Sequence, residues 1–257
     1  MDFKHLHLAV ADSIATVTMS RPPVNALSRE IREELLHAFD DLSDRTDVRA
    51  IILAGSDRAF SAGADIKERA GLVAGPGDYR RLNRLVREVF YAVMDCPKPV
   101  IAVLSGPALG AGFALALSCD MIIADEATFC AMPEVDVGLA GGAKFLQRHF
   151  TPTMARRLLL TGRRISAAEL YRLGVVDELR PANELMPAAL ELAAELAAKS
   201  PLAIQLIKDS FNLVENLTLR DGYRFEQDMT TKLGRTEDAQ EAKRAFVEKR
   251  QPVFVGR

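Results

Sequence analysis

Cysteine is scarce: Cys96, Cys119 and Cys130 are the only three in 257 residues, and no two stand as CxxC. An odd number of thiols in apolar surroundings gives no disulfide framework and fits a reduced, cytoplasmic chain. Charge of one sign is lacking as well. Lys and Arg number 33 against 35 Asp and Glu, a net charge of −2, so no global field draws the chain to nucleic acid or to an anionic membrane. An anionic ligand must be met locally. The glycines at 110 and 112 lack GxGxxG spacing, and neither a GxxxxGKS/T loop nor a GxSxG elbow occurs. His37 and His149 have no adjacent Ser or Cys nucleophile, which argues against a Ser/His/Asp triad. His5 and His7 share one strand face, but with no carboxylate or cysteine at metal spacing they read as solvated residues, and no metal is expected. The first twenty residues carry His5, His7 and Asp12 in place of a basic flank and an apolar run, so no signal peptide is expected.

What is present is apolar and ordered. Hydrophobic residues make up 49% and charged residues 26% of the chain, a balance that supports a substantial core and argues against extensive disorder. The most apolar stretch runs from Pro97 to Asp120 and is uncharged from Pro99 to Cys119. It is long enough to span a bilayer, yet Gly106-Pro107, Gly110 and Gly112 would interrupt a lipid-facing helix. The stretch reads instead as a buried strand (Val100 to Leu104), a turn (Ser105 to Leu109) and a buried helix from Gly110 to Ser118.

Around that centre, His5 to Val10 and Ile14 to Met19 alternate as a hairpin, and Ser28 caps a helix carrying Ile31, Leu35, Ala38, Phe39 and Leu42. Val48 to Ala54 reads as a strand, Gly71 to Asp78 as a mobile loop and Tyr79 to Met94 as a helix whose Arg80, Arg81, Arg84 and Arg87 form a basic face. That face is either solvated or phosphate-binding. Strands follow over Met121 to Ala124 and Thr128 to Cys130, then a loop from Met132 to Gly142. Helices start at Ala143, Pro152 and Ser166, and Val175 to Leu179 reads as a last strand. From Ala182 onward only helices are expected: Glu184 to Lys199, Leu202 to Glu215, Thr218 to Lys232 and Glu237 to Val247. The change of pattern divides the chain into an α/β body over 1–199 and a helical region over 200–257. Strand, strand, helix recurs through the body without internal sequence similarity.

Two small-residue turns, one around Gly63 and one around Gly110 to Gly112, remain beside Glu134 and Asp136, two acids amid apolar neighbours. Together they suit a main-chain oxyanion hole with a carboxylate base next to it.

The segments AFSAGADIKE (59–68), KPVIAVLSGPALGAGFALALSCD (98–120), ATFCAMPEVDVGL (127–139) and AFVEKR (245–250) resemble the crotonase superfamily of enoyl-CoA hydratases and isomerases. The resemblance covers essentially the whole chain. It implies a superhelical core of repeated ββα units, a C-terminal helical trimerisation region, and a homotrimer or homohexamer. The substrate would be an acyl-CoA thioester, with coenzyme A as part of the substrate and no separate cofactor. The thioester oxygen would be held by the N–H groups of Ala64 and Ala111, with Ala62 and Lys67 along the adenine and pantetheine path. Gly63, Gly110 and Gly112 would let the ligand approach closely. Of the two glutamates of a hydratase, the second falls on Glu134 and the first on Ala114, which is unable to hold water. Members that keep only the second acid include double-bond isomerases, so isomerisation is expected ahead of hydration, with a non-catalytic acyl-CoA binder as a third reading. Asp136 lies outside the hydratase pattern and reads first as a solvated or hydrogen-bonded loop residue, with a substitute acid as the alternative. Met132, Cys130, Phe113 and the Gly71 to Asp78 loop are expected to shape the acyl pocket.

Overall fold

A computed structural model describes residues 3–56 and 58–257. The chain opens with the expected hairpin: β1 (Leu6–Ala11) and β2 (Ile14–Met19) pair antiparallel from Leu6↔Met19 to Ala11↔Ile14. Asp12 and Ser13 both take left-handed φ, 51° and 62°, which matches the two-residue turn to the twist of the strands. Helix α1 (Arg29–Asp44) begins where the Ser28 hydroxyl accepts from Ile31 N. Next come β3 (Ala50–Ala54), α2 (Ile66–Leu72), which starts on the Asp65 carboxylate, and α3 (Asp78–Met94). The central apolar stretch forms β4 (Val100–Leu104), β5 (Ala108–Leu109) and α4 (Ala111–Ala116). No helix of the described residues is long and apolar enough to cross a membrane.

Beyond it lie β6 (Met121–Asp125), β7 (Phe129–Ala131), a 3-10 turn at Pro133–Val137, α5 (Ala143–His149) and α6 (Pro152–Thr161). Then follow β8 (Ile165–Ser166), α7 (Ala167–Arg172), β9 (Glu178–Arg180) and α8 (Leu185–Ala197). The chain closes with α9 (Pro201–Val214), α10 (Leu219–Leu233) and α11 (Glu237–Glu248).

Six strands form one sheet in the order β1-β2-β3-β4-β6-β9, parallel from β2 onward, and β5-β7-β8 form a second, smaller sheet. The chain alternates between them. After β4 it enters β5 and then α4; after β6 it enters β7 and the 3-10 turn. After β3 it bridges Ser61 to Ala108, at the edge of the small sheet, before α2. This is the repeated ββα superhelix, and each turn ends by delivering a helix start to the same side.

Both faces of the large sheet are covered at β3 and β4, which explains why these two strands are uninterrupted apolar runs. In β3, Ile51 and Leu53 face the main core with Leu35 and Phe39 of α1, while Ile52 and Ala54 pack on Leu185, Ala189 and Ala193 of α8. Helix α9 has the reverse pattern to a core helix: its buried residues are Lys208 and Ser210. Lys208 Nζ donates to Asp120 Oδ2 at 2.7 Å and to Lys98 O at 3.0 Å, tying α9 to the body.

Three expectations shift. The loop from Gly71 is shorter than expected, because α2 extends through Leu72. Val175 and Val176 are buried but outside any strand: their N–H groups donate to Leu170 O, and pairing with β6 begins only at Glu178. The Met132 to Gly142 segment contains a turn of 3-10 helix rather than a plain loop.

Candidate active site

The turn after β5 and the 3-10 turn after β7 meet because their strands are neighbours: Ala108 pairs with Cys130 and Leu109 with Ala131, and Gly110 N donates to Ala131 O at 2.8 Å. Glu134 therefore lies directly over Gly110. Its carbonyl accepts from Leu139 N at 2.9 Å, which fixes the turn, and its Oε2 is buried with no hydrogen-bond partner among the described residues. Burial pushes the Glu134 carboxyl above its ordinary pKa. An unpaired, desolvated acid of this kind is suited to receive and return a proton near neutral pH.

Gly63 is the second hinge. It has φ +84°, and a Cβ there would lie 2.4 Å from Leu109 O and 3.3 Å from Ala111 N, so only glycine lets the two turns touch. Ala64 follows it, pinned on both sides: Leu27 N donates to Gly63 O at 2.7 Å and Asp65 N to Leu27 O at 3.3 Å. Ala111 is the first residue of α4. Neither Ala64 N nor Ala111 N donates to any group among the described residues, and two free main-chain donors at adjoining turns suit an oxyanion.

Ala64, Ala111, Ala114, Met132 and Glu134 line one cavity of about 370 Å³, together with Arg32, Arg69, Tyr79, Asn83, Val86, Phe90 and Phe145. Ala114 presents a methyl group to it from the first turn of α4. Gly110 and Gly112 are buried in the wall, Gly112 against Ser61. Ala62 is half-buried and does not line the cavity, and its N–H is spent on Val24 O at 2.9 Å. Lys67 is exposed on the first turn of α2, outside the cavity.

Three expectations fail on geometry. Asp136 is exposed on the far side of the 3-10 turn, and its Oδ2 lies 2.7 Å from where a Gly162 Cβ would stand, so it is not brought to Glu134. Phe113 and Cys130 are core residues, 1% and 0% exposed, and do not line the cavity. The Gly71 to Asp78 segment stays outside it; Tyr79 and Asn83 of α3 line it instead. No group of three or more His, Cys, Asp or Glu that would hold a metal occurs among the described residues.

Arg32 and Arg69 were not legible as site residues. A signal existed: Arg32 falls at helical spacing with Leu35, Phe39 and Leu42 on the buried stripe of α1, where a charge has no packing role.

Two unspent N–H groups beside one desolvated acid suit acid–base chemistry next to a carbonyl, and they are carried here on a crotonase fold. The chain matches the enoyl-CoA hydratase/isomerase family over residues 9–257 and belongs to that family. It is 37% identical to the carnitinyl-CoA dehydratase of Salmonella typhimurium over 265 residues, covering 98% of each chain. Among solved structures it superposes on the enoyl-CoA hydratase of Bacillus anthracis with TM-score 0.93 at 32% identity, over 99% of this chain and 100% of that one. It also superposes on the enoyl-CoA hydratase of Mycobacterium smegmatis with TM-score 0.91 at 29% identity, over 97% and 98%.

Proposed function

We propose that the protein acts on an unsaturated acyl-CoA thioester, whose oxygen accepts from Ala64 N and Ala111 N, with Glu134 as the sole acid–base group. The observation that carries this reading is the pairing of an unpartnered Glu134 carboxylate with the Ala114 methyl group on one cavity wall. Among the described lining residues Glu134 is the only carboxylate, so nothing acidic stands opposite it to hold water. Double-bond isomerisation balances with one base. Glu134 takes a proton from C2 of a 3-enoyl thioester, the electrons pass into a dienolate held at the thioester oxygen, and the proton returns at C4. Coenzyme A enters with the substrate, and no metal or further cofactor takes part.

The names of the relatives favour a second reading, loss or addition of water. A single acid also balances that reaction: Glu134 removes the C2 proton of a 3-hydroxyacyl thioester and gives it to the departing hydroxyl. Incubating the protein with 3-enoyl-CoA and 2-enoyl-CoA in heavy-oxygen water, followed by mass spectrometry, separates the two. Migration faster than label incorporation supports isomerisation, and the reverse supports hydration. Neither reaction, with no hydrogen exchange at C2 of a saturated acyl-CoA, would leave only binding.

The same reading includes a homotrimer or homohexamer built on residues 200–257. Its support is α9, where Ile207 and Phe211 stand 53% and 69% exposed in the isolated chain. Three buried thiols, with burial pushing Cys130 up to about 12, fit a reducing compartment, and we place the protein in the cytoplasm.

A further inference from the structure

The cavity that holds Glu134 also holds two cations with no counter-charge bonded to them. Arg32 is 4% exposed, and its guanidinium makes no hydrogen bond or ion pair among the described residues. The nearby acids are already engaged. Asp65 Oδ2 accepts from Arg21 Nη2 at 2.8 Å and its Oδ1 from Glu68 N at 3.1 Å, while Glu68 Oε2 accepts from Arg29 N at 2.8 Å. Arg69 Nε is buried without a partner, and its guanidinium is held over the Tyr79 ring, 5.1 Å from the centroid.

A buried charge left unpaired is costly, and an apolar enoyl chain gains nothing from it. Arginine cannot escape the cost by discharging: burial lowers Arg32 only to about 10, so it stays cationic at neutral pH. Of the charged side chains that line the cavity, Arg32 and Arg69 are the cations and Glu134 is the one carboxylate among the described residues; Asp65 and Glu68 favour the charged Arg32 from behind the wall without bonding to it. Neither guanidinium has a carboxylate bonded to it. Guanidinium forks bind carboxylates and phosphates in two-point geometry, so the missing partner belongs to a ligand.

We propose that the acyl group itself carries a carboxylate held by Arg32 and Arg69, which makes the substrate a CoA thioester of a short dicarboxylic acid. This rests on the acyl-CoA reading above and narrows its substrate class. A phosphate of coenzyme A offers the same chemistry. The carboxylate is favoured because Arg32 lies in the buried wall with Ala114, Phe90 and Met132, beside Glu134, where the acyl group would react.

Calorimetry with two unreactive saturated ligands, glutaryl-CoA and butyryl-CoA, tests it on the whole protein. Glutaryl-CoA binds about tenfold tighter or more, as for hydrogen bonds to a charged group, and 4-trimethylammoniobutyryl-CoA binds worse than butyryl-CoA. In Arg32→Met and in Arg69→Met the glutaryl/butyryl ratio falls toward one, and Arg32→Lys keeps part of it. Equal affinities in the wild type overturn the carboxylate pocket and leave the acyl-CoA reading standing; binding of neither overturns both. Equal weakening of both ligands in the variants also overturns it and assigns the guanidiniums to a coenzyme A phosphate. The half-exposed Arg69 position and the wild-type ratio keep the test decisive if Arg32→Met does not fold.

Discussion

Glu134 stands where it does because residue 110 has no side chain: a Cβ on Gly110 would lie 2.7 Å from Glu134 Oε1. Gly110 also has φ +52°, a region that a residue with a Cβ enters at a cost of about 1–3 kcal/mol. Gly110→Ala therefore loses stability of that order and pushes the base out of line, so turnover falls more steeply than CoA affinity. Urea unfolding and steady-state kinetics on the one variant read both effects.

Glu134→Gln keeps the shape and removes the base, so turnover drops by about 10²–10⁴ while a saturated acyl-CoA still binds. The same variant reports the carboxyl's titration. Burial raises its pKa in the fold, so the folded chain holds this proton more tightly than the unfolded chain. The associated stability is full below the unfolded pKa and is lost as pH rises through the folded one. Glu134→Gln is thus more heat-stable than the wild type at pH 8, and the gap closes as pH falls toward the ordinary glutamate range. The acid limb of kcat/KM in the wild type lies above that range for the same reason. An equal melting temperature at pH 8 would show that Glu134 carries no such cost.

How much of this was legible follows from chain periodicity. Strand β4 and the cap at Ser28 stood out because a two-sided buried strand is a continuous apolar run and a cap is one residue with one bond. β5 and β8 did not, since two residues carry no period. Val175 and Val176 misled because burial alone does not say where a backbone pairs. At the site, the turns around Gly63 and Gly110 to Gly112 and the acid Glu134 were visible from the residues, whereas the roles of Ala64, Ala111 and Ala114 came from the family resemblance. The exclusion of Asp136 depended on which way a 3-10 turn presents alternate side chains, and Arg69 needed the packing of α2 on α3.

Ala111→Pro removes one proposed oxyanion donor without altering charge. Residue 111 is the first of its helix, where proline is tolerated, so the fold is expected to persist. Losing such a donor costs about 2.7–4 kcal/mol of transition-state stabilisation, or about 10²–10³ in rate. Unchanged turnover in a folded variant would place the oxyanion hole elsewhere.

The apolar face of α9 predicts an assembly. Leu202, Ile204 and Leu206 are only half-buried and Phe211 is exposed, so sedimentation at micromolar concentration gives a trimer or hexamer. Phe211→Glu places a charge in that contact and shifts the distribution toward monomer. A wild-type monomer would remove residues 200–257 from any role in association.

Ala114 decides between the two chemistries. It is 4% exposed and lines the cavity with Glu134, so Ala114→Glu adds a carboxylate opposite the base. Two acids in one desolvated site do not both ionise readily, and one of them titrates upward through repulsion and burial. A protonated acid there gives water a donor at residue 114, where the wild type has a methyl group. Hydration of a 2-enoyl-CoA then rises from a trace while migration in the 3-enoyl isomer falls, and the melting temperature drops with the buried charge. The wild type is measured first, because its ratio fixes the meaning of the variant. Hydration already faster than migration would overturn the isomerase reading. The water would then be held by a group other than residue 114, and Asp136, turned away toward Gly162, is not that group.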